Sequence, residues 1–508
     1  MSVAAAPRPP ANFPKQAVVV IHGMGEQTPM DTIKGFVGAV WETDAGLTAN
    51  SMPQPAEVWS KPDLKTGSLE LRRITTRQST PNPPVFPQGA RADFYELYWA
   101  DLSGGSTLGD VENWVFGILL RNPCKRIPPR LIPAWIMLWG FTLGVIYLAL
   151  MGIIKPESKF FSAFYPWMAV APLNRFSELF GPVVAAGLAY LGNRIIVPTF
   201  GRVVRYTRAK PDNIAARKAI RERGLALLNA LHDGTYERII VVGHSLGSIL
   251  GYDLISYFWA SRPASHTFAV TDPDFGLLPA VEIAAAELSA APDDVGKQQA
   301  FETARRDLTR SLRKRPRPPL RNGSVDPDKD PRWLITDFIT LGSPLTHCEF
   351  LLNTDRQEFS THKESRELPI APPIAEALDP LNQAKALAVQ FDLRLGNNLI
   401  SFPFELPDPT TGKPLEYWQM HHAAPFAAVR WINIHDPTIL YVSGDIVSGP
   451  LRHLYGPAIQ DIDLRKAGGP RSYGFTHLKY WSLGSQRIAT AAITALRAAL
   501  NLIGENDI

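Results

Sequence analysis

The sequence predicts an α/β fold, a mostly parallel sheet with flanking helices, and three observations lead there. Ala17-Val18-Val19-Val20-Ile21 is wholly apolar and β-branched, the pattern of a strand buried on both faces of a parallel sheet. Arg238-Ile239-Ile240-Val241-Val242 runs directly into Gly243-His244-Ser245-Leu246-Gly247. The residues that follow, Ile249-Leu250-Gly251-Tyr252-Asp253-Leu254-Ile255, read as a helix. Two later runs, 333–341 and 431–434, read as further strands with exit turns.

The remaining elements follow in chain order. Residues 1–15 carry no apolar signal-peptide core and are expected to be a flexible N-terminal tail. Residues 16–122 form the first part of the core, with strands at 69–76 and 93–99 and an amphipathic helix at 110–120. Residues 123–205 hold an insertion. Residues 206–354 resume the core, with a helix at 213–232 introduced by Pro211-Asp212-Asn213 and one or two exposed helices across 279–313. Residues 355–425 are a second, cap-like insertion, and 426–508 complete the core. The length alone, 508 residues, suggests about three domains; the motif order favours one interrupted core.

The chemistry centres on Ser245. Strand, tight turn, Ser and helix is the context of a nucleophile elbow, in which the hydroxyl stands clear at the top of the sheet. The helix that begins there directs its N-terminal dipole at a developing oxyanion. The competing reading is an ordinary glycine turn with a helix-capping Ser. His22-Gly23-Met24-Gly25 follows the first strand and can aim backbone N–H groups at the same point. Met24 and Leu246 are the expected oxyanion donors, with His22, Gly23, Gly25, Gly243, His244 and Gly247 shaping the loops.

A general base and an acid are expected downstream. Of eleven histidines, His477 lies on an aromatic-rich loop before the final helical stretch and is the expected base, with His453 second. Asp445, in Asp445-Ile446-Val447, and Asp436, three residues after Asn433, are both open as the acid; Asp445 is preferred. A solvated turn Asp is the plain alternative for either. His244 reads as structural and His435 as a supporting residue. His421-His422 lacks Cys or carboxylate companions at ligand spacing, so no metal is expected.

Taken together, His22-Gly23-Met24-Gly25, Gly243-His244-Ser245-Leu246-Gly247, Leu341-Gly342-Ser343-Pro344, Trp431-x-Asn433 with Asp445, and His477 resemble the lipase- and esterase-type serine hydrolases of the α/β-hydrolase fold. They occur in that family's order and span most of the chain while covering few of its residues. The resemblance implies a Ser245–His477–Asp445 triad, an acyl-enzyme intermediate and no cofactor. The chain departs from the pattern in a long spacing between oxyanion loop and elbow, and in the segment 355–425.

The first departure has its own signature. Residues 131–154 (LIPAWIMLWGFTLGVIYLALMGII) carry no charge and are long enough to span a hydrocarbon core as a helix. A second apolar stretch, 179–200, is broken by Asn193-Arg194 and reads as a second span, a re-entrant helix or an interfacial helix; a transmembrane hairpin is preferred. A buried helix of a large core is the alternative for the first stretch. Arg121, Lys125, Arg126 and Arg130 precede the hairpin and Arg202, Arg205, Arg208 and Lys210 follow it, so the rest of the chain is expected to face the cytoplasm. Trp135, Trp139, Tyr165 and Trp167 are candidate interface anchors. Gly and Ala residues in the second stretch offer a route to homo-oligomers.

Composition limits the alternatives. A net charge of +4 gives no case for nucleic-acid binding. The basic run from Arg305 to Arg321 reads as a solvated, proline-rich loop. Two cysteines, Cys124 and Cys348, offer no disulfide framework. The expected protein is therefore a membrane-attached serine hydrolase cleaving carboxylic esters, with an acyl-chain or lipid substrate favoured by the hairpin. An acyltransferase or thioesterase with the same triad, and a membrane scaffold with an idle triad, remain alternatives.

Overall fold

The computed structural model describes residues 14–24, 28–48, 57–83, 85–103, 211–315, 332–389, 398–407, 412–438, 443–472 and 474–504, with scattered positions between 117 and 143 and residue 206. The strands are β1 (Lys15–Ile21), β2 (Val58–Pro62), β3 (Arg72–Thr76), β4 (Arg91–Leu97), β5 (Arg238–His244), β6 (Thr267–Ala269), β7 (Ile335–Leu341), β8 (Glu376–Ala377), β9 (Asn398–Leu399), β10 (Ser401–Pro407), β11 (Pro414–Met420), β12 (Arg430–His435) and β13 (Gln460–Asp463). Eight of them form one sheet in the order β13-β12-β7-β5-β1-β4-β3-β2. The first six run parallel, and β3 and β2 add an antiparallel edge.

The apolar runs become central strands because both faces are covered. Side chains alternate between two cores. Ala17, Val19, Ile21, Ile239, Val241 and Phe338 pack on one side with α2 (Pro211–His232) and α3 (Leu246–Ser261). Val18, Val20, Ile240, Val242, Ile339 and Leu341 pack on the other, beneath α1 (Asp31–Val37) and a C-terminal helix, Ala491–Leu500.

Two expectations are corrected. The region 279–313 forms two helices, α4 (Leu277–Ala290) and α5 (Val295–Lys314), and neither is merely exposed. Leu278, Val281, Ala285 and Leu288 on α4, with Phe301, Leu308 and Leu312 on α5, are buried in the first core. Their helical spacing places one apolar stripe on each helix inward, and Glu282 on α4 and Arg305 on α5 are buried with it. The basic run likewise begins as helix: Arg305 is buried and paired with Glu302, and residues 316–321 lie outside the described positions.

The described part of 355–425 contains a helix (Arg356–Glu364), a second (Pro380–Ala388), the short β8–β9 pair, and a β10–β11 hairpin extended by β6. It packs along α3 from its middle to its far end. The Tyr252 hydroxyl donates to Pro369 O at 2.8 Å and Trp259 Nε1 donates to His421 O at 3.0 Å. Trp259 lies about 20 Å along the helix from Ser245.

Most of the apolar stretch 131–154, all of 179–200 and most of the expected helix 110–120 lie outside the described residues. Among the described residues, no helix is long and apolar enough to cross a membrane.

Candidate functional site

Ser245 sits where β5 ends and α3 begins, at the C-terminal end of the parallel strands. Its backbone is at φ 52°, ψ −127°, a conformation an L-residue adopts only under local constraint. The constraint is visible: Ser245 N–H donates to Leu341 O on β7 at 2.9 Å, and Ser248 Oγ donates to Ser245 O at 2.6 Å. Ser343 Oγ, 2.7 Å from Ser248 Oγ, completes this brace from the Leu341-Gly342-Ser343-Pro344 turn. The flanking glycines are steric necessities. A Cβ on Gly247 would stand 2.3 Å from Ile21 O, so the elbow touches the backbone of β1.

The structure brings together three expected residues. His477 Nε2 is 2.8 Å from Ser245 Oγ. His477 Nδ1 is 3.0 Å from each carboxylate oxygen of Asp445. With Nδ1–H directed at Asp445, Nε2 is left as the acceptor for the Ser hydroxyl. All three side chains are buried. Burial opposes ionisation of Asp445, but bonds from His477, Tyr480 Oη and Val447 N–H outweigh it and hold its pKa below the usual carboxylate value.

Asp436, the other candidate acid, lies elsewhere in the same network. Its Oδ2 accepts from Thr476 Oγ1 at 2.7 Å, and its carbonyl accepts from Asp445 N–H at 2.8 Å. It ties together the loops that carry Asp445 and His477 rather than touching the His477 ring bonded to Asp445. His435 lies at the end of β12 beside Asp461 and Asp463, and burial lowers its pKa. His453 is exposed on a short helix, Arg452–Tyr455. His421 and His422 bond to the carbonyls of Ile374 and Arg366, and the described residues contain no His, Cys, Asp and Glu group fit to hold a metal.

The loop after β1 approaches Ser245 from the other side. A Cβ on Gly23 would lie 2.8 Å from Ser245 Cβ, so the two backbones are nearly in contact. His22 fixes the entry to this loop. Its Nε2 accepts from Trp99 N–H at 3.2 Å, which leaves Nδ1–H to donate to Gly23 O at 2.8 Å. The two rings stack 5.1 Å apart. Further on, Met30 N–H donates to buried Glu96 Oε2 at 2.9 Å, and burial pushes that carboxyl up to about 7. Met24 is half-buried beside this turn, and Gly25 lies outside the described residues. Leu246 is the first residue of α3, so its N–H has no carbonyl one turn back within the helix.

Three features were not read from the sequence. His244 Nε2 is 2.7 Å from His477 O, and Gly342 lies against the Asp445–His477 pair, where a Cβ would come within 3.0 Å of Asp445 Oδ2. Tyr480 Oη donates to Asp445 Oδ2 at 2.8 Å. The aromatic residues after His477 signalled packing, and nothing local marked a hydrogen bond across more than thirty residues.

A hydroxyl, an imidazole and a buried carboxylate in one hydrogen-bonded line permit proton transfer from the hydroxyl to the ring as the oxygen attacks an electrophile. The chain matches no family model, no curated protein and no solved structure.

Proposed function

We propose that the protein is a serine hydrolase of the α/β-hydrolase type that cleaves carboxylic esters. The observation that carries this reading is the Ser245–His477–Asp445 line, anchored by a Ser at φ 52° on a strand-to-helix elbow. Ser245 Oγ attacks the acyl carbon while His477 Nε2 takes its proton. The N–H groups of Met24 and Leu246 donate to the developing oxyanion. His477 then gives the proton to the leaving alcohol, and water repeats the sequence to release the acid. Asp445 holds the ring tautomer and balances the imidazolium charge.

An acyl-chain substrate fits the rim. Phe475 and Leu478, on either side of His477, are 52 % and 65 % exposed. Two apolar side chains held in water beside the reacting groups suit an aliphatic chain. Membrane attachment through 123–205 is part of the same proposal; it rests on the charge-free run at 131–154 and the basic flanks.

The test is hydrolysis of p-nitrophenyl esters of increasing acyl length in detergent, for the native chain and for Ser245→Ala and His477→Ala. Both variants are expected to lose activity by at least ~1,000-fold, and the rate is expected to rise toward medium or long chains. Hydrolysis by Ser245→Ala at the native rate would overturn the reading.

A further inference from the structure

We propose that Tyr480 is a positioning residue that sets the basicity of His477 through Asp445; the catalytic meaning of this rests on the hydrolase reading. The geometry stands without it. The Tyr480 hydroxyl is 2.8 Å from Asp445 Oδ2 and 3.1 Å from Ser448 Oγ, and the carboxylate offers no proton in return. The phenol proton therefore goes to Asp445, and Ser448 Oγ–H supplies the phenol oxygen. The result is one directed chain: Ser448 to Tyr480 to Asp445, with His477 Nδ1–H as the second donor and Val447 N–H, 2.8 Å from Oδ1, as the third.

The consequence is electrostatic. Each donor on Asp445 spreads its negative charge, so less of that charge is available to stabilise a proton on His477. A buried carboxylate with fewer donors would hold the imidazolium more tightly and keep Nε2 protonated at higher pH. Burial raises the Tyr480 phenol well above its ordinary value, so it remains a donor throughout the working range. Among the described residues, His244 and Asp436 are further titratable groups beside the pair, with His22 behind His244. Burial drives His244 down to about 3, leaving it uncharged. Asp436 is bonded to Thr476 and lies beyond the Asp445 backbone.

Tyr480→Phe removes one hydroxyl and keeps the ring that packs near His244. The readout is the titration of the His477 Nδ1 proton by downfield proton NMR on the full chain, with Ser448→Ala as a second variant. Tyr480→Phe is expected to raise the His477 midpoint by about one pH unit, and Ser448→Ala by less in the same direction. A folded Tyr480→Phe protein with an unmoved midpoint would overturn the proposal. If Tyr480→Phe is too unstable to titrate, the Ser448→Ala midpoint decides alone: a rise supports the proposal and no movement overturns it. Because this titration needs no turnover, absence of Ser245-dependent ester hydrolysis would refute the hydrolase reading separately. With hydrolysis present, the acid limb of kcat/KM is expected to shift with the NMR midpoint while KM stays near native.

Discussion

His244 Nε2 lies 2.7 Å from the backbone oxygen of His477, so the residue before the proposed nucleophile holds the peptide of the proposed base. The donor is permanent, because burial keeps His244 neutral down to about pH 3. Its ring also meets Trp481 edge-on at 4.8 Å. One loop and one elbow are thereby locked together across 233 positions of sequence.

Replacing His244 by Phe keeps ring volume and removes the donor. Activity is expected to fall about 10- to 100-fold through a misplaced His477, with kcat more affected than KM. Steady-state kinetics together with circular dichroism would check this; native kcat in the variant would show that the bond is dispensable.

Gly23 has no room for a methyl group beside Ser245. Gly23→Ala is expected to lower kcat/KM by about 100-fold or more by displacing the loop that carries Met24. A Ser to Gly23 distance that relaxes without cost would appear as near-native turnover, and kinetics on the folded variant separates the two.

The acids are separable by substitution. Asp445→Asn is expected to cost about 1,000- to 10,000-fold in kcat, since the amide no longer favours the required His477 tautomer. Asp436→Asn leaves an acceptor for Thr476 and is expected to cost less than about 10-fold. Reversal of that order in parallel assays would reassign the acid.

Glu282 on α4 is fully buried, hydrogen-bonded to Ser401, and pushed up to about 8 by burial. A carboxyl whose folded pKa exceeds its ordinary value of 4.5 favours folding less as pH rises from there through about 8. Glu282→Gln is expected to gain stability relative to native by a few kcal/mol at pH 9, on the order of three pKa units of lost linkage, and little at pH 4. Buried His244 and His266, both driven down to about 3 from 6.5, act in the opposite sense, and stability from them is lost as pH falls below 6.5. Denaturant unfolding across pH, native against Glu282→Gln, measures both limbs.

The proposed hairpin predicts that the full chain sediments with vesicles, stays bound in high salt and alkaline carbonate, and is released by detergent. Release by salt alone would reduce the attachment to surface charge.

How legible the site was depended on the range of the interactions. Strands β1, β5, β7 and β12 were readable because burial on both faces demands unbroken apolar runs, and the elbow because its glycines, Ser and helix are contiguous. The choice between Asp445 and Asp436 was not local. Both follow the same strand, and only the loop that threads Gly444 beside Phe475 brings Asp445 under His477. Tyr480 looked like packing because an aromatic ring gives no hint of where its hydroxyl points. Helix α5 looked exposed because charges crowd its sequence; the buried stripes of α4 and α5 emerge only when the two helices pack together in the core.

The most direct measurement is covalent labelling of the full chain by a fluorophosphonate, with the adduct located by peptide mass spectrometry. The account predicts one adduct on Ser245, formed rapidly by the native protein and lost or greatly slowed in His477→Ala. An adduct on another residue, or none on Ser245 while that protein remains folded, would contradict it.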